Sequence, residues 1–311
     1  MNQSKFSLAD VITLLTALTF GFVCFFGTNF YTLGNTSQSI ILSLIIFLLL
    51  SGTALGAKLL KRTSRNFKTC FVLEIFLLVF FTLMMILFSI SPFPQYFAVS
   101  SQKVAIQSTL TESIKQAENM FNVYEQYAEN RENLYREKLK TIVAAQSINP
   151  NEYFECGFDN NGVADEKQIE NKMFVIHADL FPTNHEEMKK VSSRWLADAR
   201  NTLNNWWAWN FGVVGVVKNV ESNSTDWLNT LENLSKVREK CEQAEDFAYN
   251  LSFKEVKKQF TMLGKPTPLS ISLAVLAYLL MLLSWFVSKR HTKFPGCKVL
   301  FGNTKTERNE L

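Results

Sequence analysis

The chain has 311 residues, 47% of them hydrophobic and 13% aromatic, with 27 Phe and a net charge of +4. So apolar a composition excludes an ordinary soluble domain, and so small a charge is no basis for nucleic-acid binding. The chain has no phosphate-cradling glycine loop, nucleophile elbow, HExxH or CxxC, so no enzyme, cofactor or metal is expected from it.

Three apolar runs open the chain, at about 11–30, 40–57 and 71–90, and a fourth lies at about 269–287. Each approaches the roughly 20 residues that cross ~30 Å of hydrocarbon as a helix. Ser7 and Asp10 have the spacing of a capping box at the first span, which has no small-x-small exit site of a cleaved leader. The loop at 58–69 holds Lys58, Lys61, Arg62, Arg65 and Lys68 and no acid, and the tail at 288–311 begins with Lys289, Arg290 and Lys293. By the positive-inside rule both termini and this loop are cytoplasmic, in an inner or plasma membrane, and 91–268 lies outside. That outer segment carries 20 Lys/Arg against 24 Asp/Glu, a net charge of −4, so the positive balance sits on the cytoplasmic side.

The expected fold is therefore all-α: four transmembrane helices with an elongated, coiled-coil-like helical ectodomain between spans three and four. Within the spans, Gly52 and Gly56 form a GxxxG unit that allows close helix packing. Glu74 is the one ionisable residue well inside a span. Intramembrane acids are functional suspects, but the other spans offer no charged partner, which argues against an ion-coupled pump.

Prolines at 92, 94, 266 and 268 mark the joins between ectodomain and spans. From 98 to 145 apolar residues recur at three- and four-residue steps, interrupted by Arg131, which predicts a helix about 70 Å long. Asn149-Pro150 ends it, and 151–182 shows no clean period, with turn residues at Asp159–Gly162. That turn resembles a calcium loop only weakly, since Gly157 and Gln168 occupy two key ligand positions. His177, Asp179, His185, Glu186 and Glu187 match no zinc spacing, and a solvated helix start explains them.

A second ectodomain helix is expected from Thr183, boxed with Glu186, along the stripe Met188, Val191, Trp195, Ala199, Thr202, Trp206. A third follows Val220 with a seam at Trp227, Leu231, Leu234, Val237, Cys241, Ala244, Ala248 and Leu251, ending near Gly264. Cys156 and Cys241 are the two cysteines outside, where a disulfide between them would persist. Taken as rungs on helices of fixed rise, they place the Trp-rich stretch 204–220 at a hairpin on the membrane-distal tip. Trp206, Trp207, Trp209 and Phe211 are there either core rings or a contact surface for a partner. Sequons at Asn35, Asn223, Asn233 and Asn250 lie outside, the last two within the expected third helix.

The layout of three spans, a large outer loop and a fourth span resembles that of the tetraspanins. Their loop carries a Cys-Cys-Gly motif where this chain has only Cys156-Gly157, so the likeness is one of layout. The expected function is binding, sensing or scaffolding through the ectodomain by a non-enzymatic protein of the bilayer. A homo-oligomer and a protein partner at the tip are expected. The alternative is a pore or channel subunit whose ectodomain forms a collar.

Overall fold

The computed structural model describes residues 7–63, 67–206 and 212–290. Every regular element among them is helical, and they form two compact units, 1–103 with 258–311, and 104–257.

The first unit holds four helical segments long and apolar enough to cross a membrane. These are α1 (Leu8–Tyr31), α2 (Thr36–Arg62), α3 (Phe67–Ile90) running on into α4 (Phe93–Ser101), and later α11 (Pro268–Met281) with α12 (Leu283–Val287). They are the helices of a multi-pass membrane protein in length and composition. Each boundary has a local cause. Asp10 accepts from the Ser7 backbone at 2.8 Å, and Asn35 accepts from the Gln38 N–H at 3.2 Å. Pro94 enters the first turn of α4, and Thr267 accepts from Ser270 N at 3.2 Å just ahead of Pro268.

Close approach in this unit falls on Gly27. A Cβ there would lie 2.1 Å from the Pro92 carbonyl oxygen, so only glycine fits. Of the GxxxG pair, a Cβ on Gly56 would lie 3.1 Å from Leu77 Cδ1, whereas one on Gly52 would meet open space. Gln95 is buried with both ends bonded, donating to Phe260 O and accepting from Gly264 N, each at 2.6 Å. Phe20 stacks on Phe93 at 4.5 Å beside it.

The second unit is built on α5 (Lys103–Ala144), whose 42 residues run about 63 Å. One stripe of it is buried, from Ile106 and Leu110 through Tyr124 to Leu139 and Ile142. Two short-range helices that the aperiodic stretch hid follow, α6 (Pro150–Glu155) and α7 (Asp165–Leu180). α7 runs back against α5, with His177 on Glu132 at 2.8 Å and Leu180 O accepting from Tyr124 at 2.9 Å. α8 (His185–Asn204) continues the same way, with Lys189 on Glu125, Arg200 on Glu118, and Leu203 O accepting from Gln107 at 2.7 Å. α9 (Gly212–Ser235) then reverses and runs with α5, bringing Ser235 O to Arg131 at 2.7 Å.

The third ectodomain helix is much shorter than expected. Residues 236–253 contain no helix, and α10 (Lys254–Thr261) begins only after them. This return is a fourth pass in irregular backbone. Tyr127 donates to Glu245 O at 2.7 Å, Tyr249 to Gln116 O at 2.9 Å, and Lys257 meets Glu221 at 2.6 Å. Asn250 therefore sits in exposed irregular chain and not within a helix. The helix from 183 was expected to run so that 204–220 formed a distal hairpin, but α8 runs antiparallel to α5. It ends beside Gln107, at the end where α5 begins. The height counted from Cys241 failed because that count assumed a continuous helix.

α8 also starts later than expected. Its N-cap is Asn184, and no Thr183–Glu186 box forms. Its buried face is Ser192, Leu196, Ala199 and Leu203, with Val191 half exposed, about one residue round from the expected stripe.

Candidate binding cleft

The reversal at Ser235 explains the centre of the second unit. Arg131, which broke the apolar stripe of α5, is buried. Its guanidinium donates to the carbonyls of Ser235 and Val237 and, through Nε and Nη2, to both carboxylate oxygens of Glu242. Burial works against its charge, but the bonds and charge of Glu242 outweigh that and hold its pKa above the usual value. Cations at a helix C-terminus satisfy carbonyls that would otherwise be orphaned. Arg238 adds a second, reaching the Ser235 carbonyl and Asp246. The Phe247 N–H closes the turn on Ser235 Oγ at 3.0 Å.

Cys156 and Cys241 are joined, Cα to Cα 5.3 Å, across 85 residues. The bridge pins the return segment beside α6, where Tyr135 also donates to Lys240 O at 3.1 Å. Gln168 holds the nearby turn. It accepts from Asp159 N and donates to the carbonyls of Asp159 and Val163, while Val163 N bonds Asn161 Oδ1. The Val163–Asn161 bond is that of an Asx turn.

At the other end of this unit, where α5 begins, lies a cleft of about 980 Å³. Gln107, Ser108, Thr111, Glu112, Lys115 and Gln116 of α5 form one wall. Asn204 closes it from α8, Asn250 and Ser252 from the return segment, and Glu255 from the start of α10. Three passes thus converge on a concave surface of amides, hydroxyls and mixed charge. Pockets that hold small ligands span about 300–1,000 Å³, and a few convergent polar groups set what they accept. Nothing in the sequence marks these residues, because the polar flank of any surface helix reads the same. What assembles them is the reversal of the chain at Asn204 and again near Cys241.

Of the four ring residues singled out in the sequence, Trp206 is 4% exposed, a core ring at this same end. Trp207, Trp209 and Phe211 lie outside the described residues. His185, read as part of a solvated helix start, is instead 2% exposed, ringed by Phe121, Tyr124 and Phe181.

In the first unit Glu74 is 1% exposed and fully engaged. Arg290 donates to both carboxylate oxygens, at 2.6 and 2.7 Å, and Trp285 Nε1 donates at 2.8 Å. Its partner comes from beyond the fourth span, which is why the spans themselves offered none. A second buried pair, Asp10 with Lys58, ties the start of α1 to the end of α2. Lys61 bonds Trp285 O at 2.7 Å and lies over that ring. These groups lock four span ends together on one side.

A scan against protein families and searches for relatives among characterised proteins and among solved structures return no match.

Proposed function

We propose that this chain is a non-enzymatic integral membrane protein that binds or senses a polar ligand through its helical ectodomain. The supporting observation is the cleft of about 980 Å³ at the end where the chain enters and leaves the ectodomain. A ligand there touches the first turns of α5 and the residues leading out at Glu255, so occupancy is felt by both connections to the spans. The outer side is assigned by the basic loop at 58–69, and a disulfide suits an oxidising compartment. Self-association is part of the proposal, and light scattering of the purified protein in detergent measures it. A pore is less well supported, because the hydroxyls it would use are engaged. Thr13 donates to Met281 O at 3.0 Å, and Ser51 and Thr53 each donate to a carbonyl four residues back at 2.6 Å.

The test is a thermal-shift screen of the full chain in detergent against amino acids, short peptides and oligosaccharides. A class that raises the unfolding temperature of the native chain but not of Thr111→Trp supports the proposal. No shift from any class, or a shift that survives Thr111→Trp, contradicts it.

A further inference from the structure

Granted the proposed reading of the cleft at the start of α5 as a binding site, its side chains specify a class of ligand. Its charged lining residues are Glu112 and Lys115 of α5 and Glu255 of α10, two acids to one base. A phosphate or other polyanion would meet more repulsion than attraction there. Val104 is the one aliphatic side chain among the described lining residues, and none of them is aromatic. An apolar ligand or a stacked ring therefore finds no wall to lie on.

Glu112 and Lys115 are the informative pair. They are exposed, lie three residues apart on one helix, and both line the cleft. Glu137 and Lys140 have the same spacing and order further along α5, and there the ammonium donates to the carboxylate at 2.8 Å. Neither Glu112 nor Lys115 has a side-chain partner among the described residues. A carboxylate and an ammonium thus stand on one wall, with Cβ atoms about 5–6 Å apart, and neither is taken up by the other. The side-chain amides of Asn204 and Asn250, which help to close the cleft, are likewise unbonded among the described residues.

We propose that the cleft binds a free α-amino acid with an uncharged polar side chain. Its ammonium pairs with Glu112 and its carboxylate with Lys115. Both groups are borne on the α-carbon, so the ligand's opposite charges are adjacent, as are the two side chains that meet them. The ligand's own side chain bonds the amides of Asn204 and Asn250. Charge-assisted hydrogen bonds at both ends supply most of the affinity. Each is weakened by screening, because the two protein side chains stay exposed to solvent.

Isothermal titration calorimetry of the full chain in detergent tests it. The probes are L-glutamine, L-glutaminamide, which lacks the carboxylate, and N-acetyl-L-glutamine, which lacks the ammonium. The native chain is expected to bind L-glutamine roughly five- to tenfold more tightly than either analogue. Glu112→Gln should lose the discrimination against N-acetyl-L-glutamine and keep that against L-glutaminamide. Lys115→Gln should do the reverse, an exchange of preferences that a merely structural change would not produce. Both side chains are exposed, so neither variant should move the unfolding temperature without ligand. Equal affinity for the three probes, discrimination that survives in the matching variant, or no binding of L-glutamine overturns the proposal. If another class of ligand then gives a thermal shift that Thr111→Trp removes, the cleft reading stands and only the class falls. If no class does, both fall.

Discussion

Arg131 on α5 and Glu242 on the return segment form a buried ion pair, their side chains 3% and 1% exposed, and this pair ends α9. A buried pair alone is weak evidence for stability, since apolar replacements often do as well. Here the same guanidinium also satisfies the carbonyls of Ser235 and Val237. Arg131→Met is therefore expected to cost about 3–5 kcal/mol. The double variant Arg131→Met, Glu242→Leu should recover only part of it, because the carbonyls stay orphaned. Chemical unfolding followed by circular dichroism measures both, and full recovery in the double variant would show that the carbonyl contacts contribute nothing.

The Cys156–Cys241 bridge closes a loop of 85 residues. Loop-closure entropy for that length gives a loss of roughly 4.5 kcal/mol on Cys241→Ser. The variant should also lack the mobility difference that the native chain shows between reducing and non-reducing gels.

Gly27 is the tightest position in the first unit, since a Cβ would meet Pro92 O at 2.1 Å. Gly27→Ala should destabilise by about 1–3 kcal/mol or prevent folding, as overpacking does against backbone that cannot yield. Gly52→Ala, which meets open space, should be close to neutral. Thermal unfolding in detergent compares the two.

Glu74 and Arg290 should behave as a unit. Glu74→Gln and Arg290→Gln are each expected to cost about 2–3 kcal/mol. That is below the figure for a fully buried pair, because Arg290 is 17% exposed and can rehydrate. Their effects should add to less than the sum, with a coupling of roughly 1–2 kcal/mol in a double-variant cycle.

Alkaline pH should unfold the second unit in a defined window. Burial, reinforced by Glu239 and Glu242, raises the Tyr135 phenol to about 12. Burial and the hydrogen bond to Asp165 do the same for Tyr153, and Tyr124 is raised as well. The folded state thus keeps protons that the unfolded chain loses near pH 10. The contribution of these phenols is complete below pH ~10 and is lost as pH rises towards about 12. Circular dichroism should show the loss, together with tyrosinate absorbance. Tyr135→Phe should shift it to higher pH.

The spans were legible because hydropathy over 20 residues is a property of the local chain. α5 was legible for a similar reason, since one stripe of Ile, Leu and Tyr runs its length. α7 was overlooked even though Ile169, Met173, Ile176 and Leu180 are spaced for a helix, because the turn before it hid its start. The extension of α9 was the opposite error. Val237, Cys241, Ala244 and Ala248 imitate a helical seam, but Arg131 and Arg238 capture the α9 carbonyls first. Those contacts are over 100 residues apart for Arg131 and could not be read from spacing. The direction expected for α8 followed from that error, and the candidate cleft depends on the corrected direction.

The direction of α8 against α5 can be measured in the full chain. Spin labels attached through non-cysteine side chains at Asn204 and Ser108, and at Asn204 and Lys140, give two distances by pulsed electron resonance. The structure predicts that Asn204 and Ser108 are as close as neighbouring packed helices allow, about 10 Å between axes. Asn204 and Lys140 should be separated by roughly 45–50 Å, the rise of α5 between its two labels. A long first distance with a short second one would place the end of α8 beside the C-terminal end of α5 and contradict the cleft.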